Sequence, residues 1–472
     1  MSDRNAWIID GFLDVRGDHL HIDGVAAVSL AEKYGSPLFV YSESRIRHNI
    51  ERIAAVANVI PFSLKLCYAA KAMPTLGILR AVKNAGVDIE VNSGGELWKA
   101  LKAGFTGPQI IFNGTSKEVW EIELAIKSGI YAIQVDSLFE LSLIEETARR
   151  LKKRASVSLR LVPEIESGTH SGLQTALLTS KFGMMPDEAF EGFRKYKDSP
   201  HLDLCGIHLH IGSQNPDPKV YAEALEKLFI CLAVIYGESG VKVRHVNLGG
   251  GFPVNYLRDN SQERDIPPEQ RAMFSASVDP VDAIANAWAT IEPIVNLSEL
   301  NRELAADLML LLEPGRSIIA DAGVCLTTVR NKKERRLSKH AKGKVDDWLL
   351  TDAGFNLLLS QETYKWYYHM ISASRAGEPH KTKYKLAGPL CDGGDVYFDI
   401  EGENRLPDHR LLPKNVEVGE LLALLNCGAY SLSQASQYNG RGLPAVVLIR
   451  ADGKPNLIRK RDTLEDLIAG EI

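Results

Sequence analysis

The sequence predicts an α/β protein in which a (β/α)8 barrel is followed by an antiparallel β-sandwich domain. Short apolar runs alternate with longer amphipathic stretches from residue 38 to residue 318. Repeated strand and helix units imply a parallel sheet, and seven or eight such units in one domain favour a closed barrel. After about residue 320, turn residues and few helical patterns separate the strand-like runs. This second pattern is typical of an antiparallel β-domain.

The elements are assigned in chain order. Residues 1–37 are predicted to be an N-terminal segment that joins the β-domain, with a hairpin over residues 12–22 that turns at Arg16-Gly17-Asp18. Residues 38–318 are predicted to form the barrel and residues 319–472 the β-sandwich. The runs that predict barrel strands are 37–41, 66–69, 88–91, 109–112, 132–135, 157–161, 205–209, 245–248 and 308–312. Those that predict strands of the β-domain are 325–329, 348–351, 384–387, 421–425 and 445–449.

The polar stretch 258–280 has little periodicity and predicts a loop insertion near a barrel mouth. At 472 residues the chain exceeds what one hydrophobic core usually holds, so two domains are expected. A hydrophobic content of 45% and a charged content of 24% describe an ordinary globular protein.

A formal net charge of -5 without a polybasic tract argues against nucleic acid as a partner. No apolar run approaches the roughly 20 residues of a membrane span, and residues 1–5 precede no apolar signal core. We therefore expect a cytoplasmic protein with no membrane partner.

The six cysteines lack CxxC spacing, which argues against both a zinc site and a disulfide framework. His208 and His210 lie two residues apart on one face of a predicted strand, where two imidazoles could hold a metal. No third ligand follows at a diagnostic spacing, so no metal site is predicted.

Lys71 ends the apolar run Leu66-Cys67-Tyr68-Ala69-Ala70 among small neighbours. An amine near apolar walls loses hydration in its charged form, so its pKa falls and it can form a Schiff base. A lysine just after a strand is also typical of a solvated strand end, and other segments must decide between the two interpretations.

Gly249-Gly250-Gly251 follows a predicted strand directly. Glycine amides there can cradle a phosphate, although a glycine triplet is also typical of a plain tight turn. His210 could stack on an aromatic cofactor and Ser213 could donate to a phosphate oxygen. A histidine in a strand can equally be a core residue.

Glu313-Pro314-Gly315-Arg316 ends another apolar strand. A glutamate there could keep a pyridine nitrogen protonated and make the ring an electron sink. The alternative is a structural salt bridge between Glu313 and Arg316. The position of Glu313 at the carboxyl end of a strand favours the functional interpretation.

Seven segments together resemble a known family. They are Tyr68-Ala69-Ala70-Lys71-Ala72, Asn92-Ser93-Gly94-Gly95-Glu96, His210-Ile211-Gly212-Ser213-Gln214, Gly249-Gly250-Gly251, Glu313-Pro314-Gly315-Arg316, Gly388-Pro389-Leu390-Cys391-Asp392 and Gly428-Ala429-Tyr430. In this order they resemble the motifs of the fold-type III pyridoxal phosphate decarboxylases, the diaminopimelate and ornithine decarboxylase family. The resemblance runs from about residue 12 to 450. It implies pyridoxal 5'-phosphate as cofactor, an alanine-racemase-like barrel with a β-sandwich, and a homodimer with shared active sites.

The resemblance also implies roles for single residues. Lys71 is the Schiff-base lysine, and Cys391 is the thiol that protonates the substrate carbon from the second subunit. The implied cofactor contacts are Lys71, His210, Ser213, Gly249, Gly250, Gly251, Glu313, Gly315, Arg316 and Tyr430. The implied substrate contacts are Arg316, Tyr364, Lys365, Asp392 and Tyr430, and Asp392 would receive the distal amino group of the substrate.

Four departures from the motifs of these enzymes limit the substrate prediction. Diaminopimelate decarboxylases usually carry an arginine and a proline where this chain has Ser360-Gln361, and a glutamate where it has Asp392, while the following tyrosine survives as Tyr364. Ornithine decarboxylases place an acid at Lys365, where a cation would repel a distal ammonium and attract a carboxylate. In Tyr438-Asn439-Gly440-Arg441-Gly442, the two glycines replace a serine and a proline.

The first hypothesis is decarboxylation of an amino acid with a polar, carboxylated tail. A siderophore branch that acts on citrate-linked amino acids would explain the altered carboxylate site, and diaminopimelate decarboxylase is the close alternative. A hypothesis of another class is a catalytically silent relative that binds partners, against which Lys71 and Cys391 both argue. Racemisation is a third possibility, but racemases face the pyridine nitrogen with arginine, where Glu313 would do the opposite.

Overall fold

The computed structural model describes residues 6–162, 164–165, 169–170, 174, 177, 179–258, 265–336 and 345–472. The chain divides into two compact units. The barrel unit comprises residues 47–253 and 276–318, and the β unit comprises residues 1–46, 254–275 and 319–472.

The strands of the described residues are β1 Leu13–Arg16, β2 His19–Ile22, β3 Val25–Ala26, β4 Leu38–Ser42, β5 Ser63–Ala69, β6 Asp88–Val91, β7 Ile110–Phe112, β8 Ala132–Val135, β9 Ala155–Arg160, β10 Leu202–His208, β11 His245–Asn247, β12 Met309–Leu312, β13 Gly323–Arg336, β14 Val345–Thr351, β15 Met370–Ser372, β16 Thr382–Ala387, β17 Arg410–Leu412, β18 Leu421–Leu424, β19 Ala445–Ile449 and β20 Pro455–Arg459. The α-helices are α1 Ala27–Tyr34, α2 Glu43–Ala54, α3 Leu76–Asn84, α4 Gly94–Ala103, α5 Val119–Ser128, α6 Leu138–Leu151, α7 Pro186–Tyr196, α8 Lys219–Ser239, α9 Pro268–Phe274, α10 Pro280–Asn296, α11 Glu299–Ala306, α12 Arg316–Ile319, α13 Leu359–Thr363 and α14 Leu464–Leu467.

The barrel unit is built around a closed sheet of eight parallel strands, β5 to β12, in which β12 pairs with β5. Its strands are short and almost entirely buried, as expected where helices cover the outer face of a barrel. Side-chain caps fix where helices begin: the hydroxyl of Ser93 accepts from the Glu96 amide, and that of Ser137 from the Glu140 amide. The predicted (β/α)8 barrel is confirmed.

The β unit contains a large, mostly antiparallel sheet organised around the long strand β13. The first residues of β13 pair with β4 and β18, and its later residues pair with β14. Two neighbouring pairs, β4 with β19 and β14 with β16, are parallel. This separate sheet domain confirms the predicted second domain.

The predicted N-terminal hairpin is confirmed, because β1 pairs with β2 through a turn in which Gly17 and Asp18 both have positive φ. The Leu20 amide donates to the Ala373 carbonyl at 2.9 Å, and the hairpin shares a buried apolar cluster with β13 and β18. The N-terminal segment therefore belongs to the β unit.

One predicted barrel strand needs correction. The run at residues 37–41 is not a barrel strand, because β4 pairs with β13 and β19 of the β unit. Every residue of β4 is buried, and a short, fully buried run has the same pattern in a barrel and in a central strand of another sheet. The barrel therefore begins with β5.

The predicted insertion at 258–280 is not a plain loop in its described part, since it contains α9 and the start of α10. Phe274 and Tyr256 both pack edge-on against Trp366 of the β unit, with ring centroids 5.4 and 5.1 Å away. Residues 259–264 lie outside the described residues. Among the helices that the structure describes, none has both the length and the apolar character of a membrane span.

Candidate active site

The polar residues of the barrel unit gather at the carboxyl ends of its strands. In a parallel barrel, these ends all lie at one face, where the active sites of such barrels are found. The residues at or just after the strand ends are Lys71 after β5, Glu90 in β6, Asn113 after β7, His208 and His210 at and after β10, Asn247 and the glycine triplet at and after β11, and Glu313 after β12. Residues that the sequence assigned from separate motifs therefore come together.

Lys71 lies in a single 3-10 turn that continues β5. The turn is held by the loop after β12, because the Ala69 amide donates to the Pro314 carbonyl at 3.1 Å. A Cβ at Gly315 would lie 3.1 Å from the Cβ atoms of both Ala69 and Ala72, so Gly315 lets this loop pack closely on the turn. The Lys71 side chain is exposed, which differs from the apolar walls expected from the sequence.

Glu313 is buried and fixed by two amides. Asn247 Nδ2 donates to Glu313 Oε1 at 2.6 Å, and Asn113 Nδ2 donates to Oε2 at 3.0 Å. The same Asn113 nitrogen donates to Glu90 Oε1 at 2.7 Å, so one amide joins two buried carboxylates. Burial, and then the negative charge of Glu90, raise the pKa of Glu313 to about 7. The alternative of a structural Glu313–Arg316 salt bridge is wrong, because the ion pairs and hydrogen bonds of Glu313 within the described residues go to Asn247, Asn113 and His208.

His210 is partly buried, and its ring is held by the loop after β11. The Gly250 amide donates to His210 Nδ1 at 3.3 Å, which requires that nitrogen to carry no proton. Burial, and then the positive charge of Lys71, hold the pKa of His210 well below its usual value. The ring is therefore neutral at physiological pH.

His208 is fully buried, with Nε2 at 3.7 Å from Glu313 Oε2. Within the described part of the chain, neither nitrogen of His208 has a hydrogen-bond partner, and the same holds for Glu90 Oε2. No cluster of three or more metal-binding side chains occurs among the described residues.

The glycine triplet forms a cradle that has no room for side chains. A Cβ at Gly249 would lie 2.3 Å from His210 Nδ1, and one at Gly250 would lie 2.5 Å from the Glu313 carbonyl oxygen. Gly251 has a φ of +96°, and its Cβ would lie 2.8 Å from the Gly212 carbonyl oxygen. Only glycine satisfies these approaches without strain.

Ser213 and Arg316 lie together in the same unit. Arg316 Nε donates to Ser213 Oγ at 3.1 Å, and the hydroxyl of Thr169 donates to the Ser213 carbonyl at 2.5 Å. A guanidinium and a hydroxyl so placed are donors for an anion.

In the β unit, Cys391 and Asp392 occupy an exposed loop. All six cysteines lie within the described residues, and Cys391 alone is exposed while the others are buried. Asp392 Oδ2 accepts from the Tyr438 hydroxyl at 3.2 Å, and Oδ1 accepts from the Gly394 amide at 2.9 Å. The thiol is thus accessible beside a carboxylate of fixed orientation.

Lys365 does not present the uncompensated cation that the sequence suggested. Its side chain is only 5% exposed, and its amine lies 3.1 Å from Glu362 Oε2 and 3.8 Å from Glu401 Oε1. Two carboxylates therefore offset part of the charge that the sequence analysis assigned to Lys365. Tyr364 follows α13 directly, and Tyr430 follows β18 with a φ of 56°.

Ser360 and Gln361, which replace the arginine and proline of the resembling enzymes, are both buried. Gln361 Nε2 donates to the Val396 carbonyl at 2.7 Å, and Ser360 Oγ donates to Gln434 Oε1 at 3.4 Å. Their polar groups are therefore engaged within the β unit.

Sequence reasoning missed Glu90, Asn113 and Asn247. Each is a buried polar residue at or next to the carboxyl end of a barrel strand. A polar residue at that position, in or after an otherwise apolar run, is the signal that could have identified them.

The barrel and its site define a class of protein. A lysine, a neutral imidazole, a buried carboxylate and a glycine cradle beside a guanidinium form the donor set that suits a pyridoxal phosphate enzyme. The cradle, which has no side chains, leaves room for a phosphate, and among the described residues the buried His208 beside Glu313 has two unpartnered nitrogens, so the residues present fit such a cofactor.

Residues 46–320 match the family model for the pyridoxal binding domain of pyridoxal-dependent decarboxylases, and this chain belongs to that family. Diaminopimelate decarboxylase of Methanocaldococcus jannaschii is 34% identical over 466 residues, which cover 98% of this chain and 96% of the relative. That of Bacillus subtilis is 32% identical, with coverage of 95% and 94%.

The crystal structure of the M. jannaschii diaminopimelate decarboxylase in complex with L-lysine superposes with a TM-score of 0.82 at 33% identity, covering 98% of both chains. The chain is therefore a pyridoxal phosphate-dependent amino-acid decarboxylase with an alanine-racemase-like fold.

Proposed function

We propose that the substrate is an amino acid whose far end carries both an ammonium and a carboxylate, with meso-diaminopimelate as the first candidate. The observation that carries this proposal is the exposed carboxylate of Asp392 beside Cys391, whose oxygens accept from the Tyr438 hydroxyl and the Gly394 amide and which could receive a distal ammonium. A distal carboxylate would need a cation, and the family resemblance assigns Arg316 to the substrate. Full-length similarity to diaminopimelate decarboxylases supports the same substrate class.

The cofactor would be held by the residues of the barrel unit. Lys71 would bind the aldehyde carbon, His210 would stack on the ring, and Glu313 would hold a proton at the pyridine nitrogen. The phosphate would lie against the glycine cradle and would be bound by the Gly251 amide, by Ser213 with Arg316, and by Tyr430. The Gly249 and Gly250 amides already donate to Asn247 Oδ1 and His210 Nδ1, so these two glycines would provide room for the phosphate. When bound, pyridoxal phosphate supplies an electron sink for the bond pair that carbon dioxide leaves behind.

The neutral His210 and the buried Glu313 have complementary tasks. Since Nδ1 of His210 accepts from Gly250, the ring keeps a fixed orientation and adds no positive charge against the cofactor. Glu313 has two amides on its oxygens and can carry a negative charge without water. A proton at the pyridine nitrogen would stabilise that charge in turn.

Proton delivery is assigned to Cys391 of the partner subunit, as the family resemblance implies. The thiol would donate its proton to the substrate carbon that has lost carbon dioxide, and solvent would restore it, because the cysteine is exposed. Asp392 would receive the distal ammonium and Arg316 the distal carboxylate. The active protein would then be a homodimer, and we also propose a cytoplasmic location.

The test is a substrate panel with the purified holoenzyme. Meso-diaminopimelate, L-ornithine, L-lysine and a citryl-diamino acid would each be assayed for carbon dioxide release. We expect the largest kcat/KM with meso-diaminopimelate and formation of L-lysine. Preference for ornithine or lysine would show that no distal carboxylate is recognised.

A second candidate is the citrate-linked amino acid of siderophore assembly. It is favoured by one observation, the buried Ser360-Gln361 pair that replaces the arginine and proline of diaminopimelate decarboxylases. Turnover of the citryl-diamino acid without turnover of meso-diaminopimelate would establish it in place of the first candidate.

A catalytically silent binding protein is the competing class of function. Borohydride reduction followed by peptide mass analysis decides this, because an enzyme of this type carries its cofactor covalently on Lys71. We expect one cofactor adduct per chain on the Lys71 peptide and none in Lys71→Ala. A chain that shows no adduct on this peptide is not an enzyme of the proposed kind.

A further inference from the structure

The segment Gln437–Leu443 holds the loop that carries the proposed proton donor. We call this segment, residues 437–443, the thiol clamp. Three side chains of the clamp reach the loop. The contacts are Tyr438 OH to Asp392 Oδ2 at 3.2 Å, Asn439 Oδ1 from the Cys391 amide at 2.7 Å, and Arg441 Nη2 to the Pro389 carbonyl at 3.1 Å.

The clamp is itself anchored at both ends by a single carboxylate. Asp462 Oδ2 accepts from Gln437 Nε2 at 3.0 Å and from the Leu443 amide at 2.9 Å. Within the clamp, Asn439 and Gly440 have φ values of 55° and 68°, the left-handed region that asparagine and glycine tolerate best. The chain turn that aims the Asn439 oxygen at Cys391 is therefore built into the local sequence.

The other side of the Cys391 loop is fixed independently. Asp395 is 2% exposed, and its Oδ2 accepts from the Leu390 amide at 2.8 Å while its Oδ1 accepts from the Phe355 amide at 2.9 Å. The ring of Phe355 also stacks on Tyr438, with centroids 5.9 Å apart. Consecutive amides of Leu390 and Cys391 thus donate to oxygens from two different segments.

We propose that Asn439 is a positioning residue for proton delivery, because its side-chain oxygen fixes the backbone of Cys391 and hence the direction of the thiol. Tyr438 fixes the neighbouring Asp392 in the same way, so that the clamp sets the thiol and the carboxylate relative to each other. The inference rests on the proposed role of Cys391. It gives a task to Tyr438-Asn439-Gly440-Arg441-Gly442, a segment that departs from the family pattern.

Loss of the clamp should misdirect the proton rather than abolish binding. If the thiol is displaced, a proton can instead reach the cofactor carbon that carries the nitrogen. One amino acid and one pyridoxal phosphate then give one carbon dioxide, one aldehyde and one pyridoxamine phosphate, with no external oxidant. The fraction of turnovers that end in aldehyde therefore reports the position of the thiol.

The central variant is Asn439→Gly, which removes the acceptor and still allows the positive φ. Asn439→Asp keeps an acceptor oxygen and serves as the rescue variant. Asn415→Gly is the matched control, because Asn415 is also exposed, has a φ of 58° and lies in the same unit. Asn439 is exposed, so folding should survive its replacement.

The first readout is amide hydrogen exchange of the holoenzyme, which does not depend on turnover. We expect the Cys391 amide to exchange about tenfold faster in Asn439→Gly, the change expected for loss of one ordinary hydrogen bond. Asn439→Asp should retain the protection, and Asn415→Gly should match the wild type. Unchanged exchange in Asn439→Gly overturns the proposal.

The second readout is turnover of meso-diaminopimelate. We expect kcat to fall tenfold or more in Asn439→Gly with KM within twofold, and the aldehyde fraction to rise toward that of Cys391→Ala. If Cys391→Ala raises the aldehyde fraction and Asn439→Gly does not, the positioning role is wrong while the donor role stands. If Cys391→Ala itself changes neither kcat nor product, the proposed function of Cys391 fails and the inference fails with it.

Discussion

The raised pKa of Glu313 makes a quantitative prediction for the stability of the cofactor-free protein. Its folded pKa of about 7 lies above the ordinary glutamate value of 4.5. Between these values the folded protein holds a proton that the unfolded chain has lost, so the contribution of Glu313 to stability is greatest below pH 4.5 and is lost as the pH rises to about 7. Each unit is worth about 1.4 kcal/mol, which gives about 3 kcal/mol for the whole window.

The perturbation is Glu313→Gln, which keeps the shape and removes the ionisation. In urea unfolding of the cofactor-free proteins, we expect the free energy of unfolding of the wild type, relative to this variant, to fall by about 2 kcal/mol between pH 5.5 and 8. The measured quantity is the difference in the free energy of unfolding between wild type and Glu313→Gln, because other groups also titrate in this range. Burial lowers the pKa values of His208 and His210, which stabilises the folded state in the opposite direction as the pH rises.

Glu90→Gln is the companion variant, because Glu90 is the second cause of the raised pKa after burial. Removing the charge of Glu90 should lower the pKa of Glu313 in the folded protein. The fall in the free energy of unfolding should then be smaller than in the wild type and be complete at a lower pH. Asn113 can still donate to the new amide oxygen, so the geometry around Glu313 is kept. A wild-type-minus-Glu313→Gln difference that is flat within about 0.5 kcal/mol from pH 5.5 to 8 would refute the reasoning.

Two further predictions concern the cofactor and the assembly. Gly249→Ala should weaken pyridoxal phosphate binding at least tenfold in an equilibrium titration, because the added Cβ would lie 2.3 Å from His210 Nδ1 at a residue with a φ of +65°. Gly237→Ala is the control and should bind the cofactor normally, because its Cβ would meet no atom within 4 Å. A mixture of inactive Lys71→Ala and Cys391→Ala subunits should regain up to about a quarter of full activity, since half of randomly exchanged dimers hold one complete site. No recovery in subunits shown to exchange would place Cys391 in its own chain's site or outside the chemistry.

Most of the fold could be predicted from the sequence, because the apolar residues of the barrel strands and of the helices recur with different periods and the two kinds of element differ in length. It failed for β4, because five consecutive buried residues carry no information about which sheet they join. It also failed for α9, because this helix has only seven residues and follows a polar stretch. So short a segment shows too few apolar positions for a helical period to be recognised. Local pattern describes an element, and the partner of that element is decided by packing.

Within the candidate site, the residues that belong to motifs could be found from the sequence. The residues that hold them by hydrogen bonds could not. Glu313 was identified by its position after a strand, whereas Asn113 and Asn247, which hold its carboxylate, belong to strands far apart in the chain. The surroundings of Lys365 could not be predicted for the same reason. Glu401, one of the two carboxylates near its amine, is distant in sequence and close in space.

The charges around the residues proposed to bind the substrate limit the number of cations that could bind a distal carboxylate. An arginine at the position of Ser360 would place a cation in the β unit, but Ser360 and Gln361 are buried and bonded within that unit. Lys365 is already paired with two carboxylates, so a distal carboxylate would have to compete with Glu362 and Glu401 for its charge. Among the described residues that the family resemblance assigns to the substrate, we therefore propose Arg316 as the partner of a distal carboxylate and Asp392 as the partner of the ammonium. A substrate with a single distal carboxylate would match this proposed arrangement, and a citrate-linked tail with more carboxylates would leave some of them without a cation.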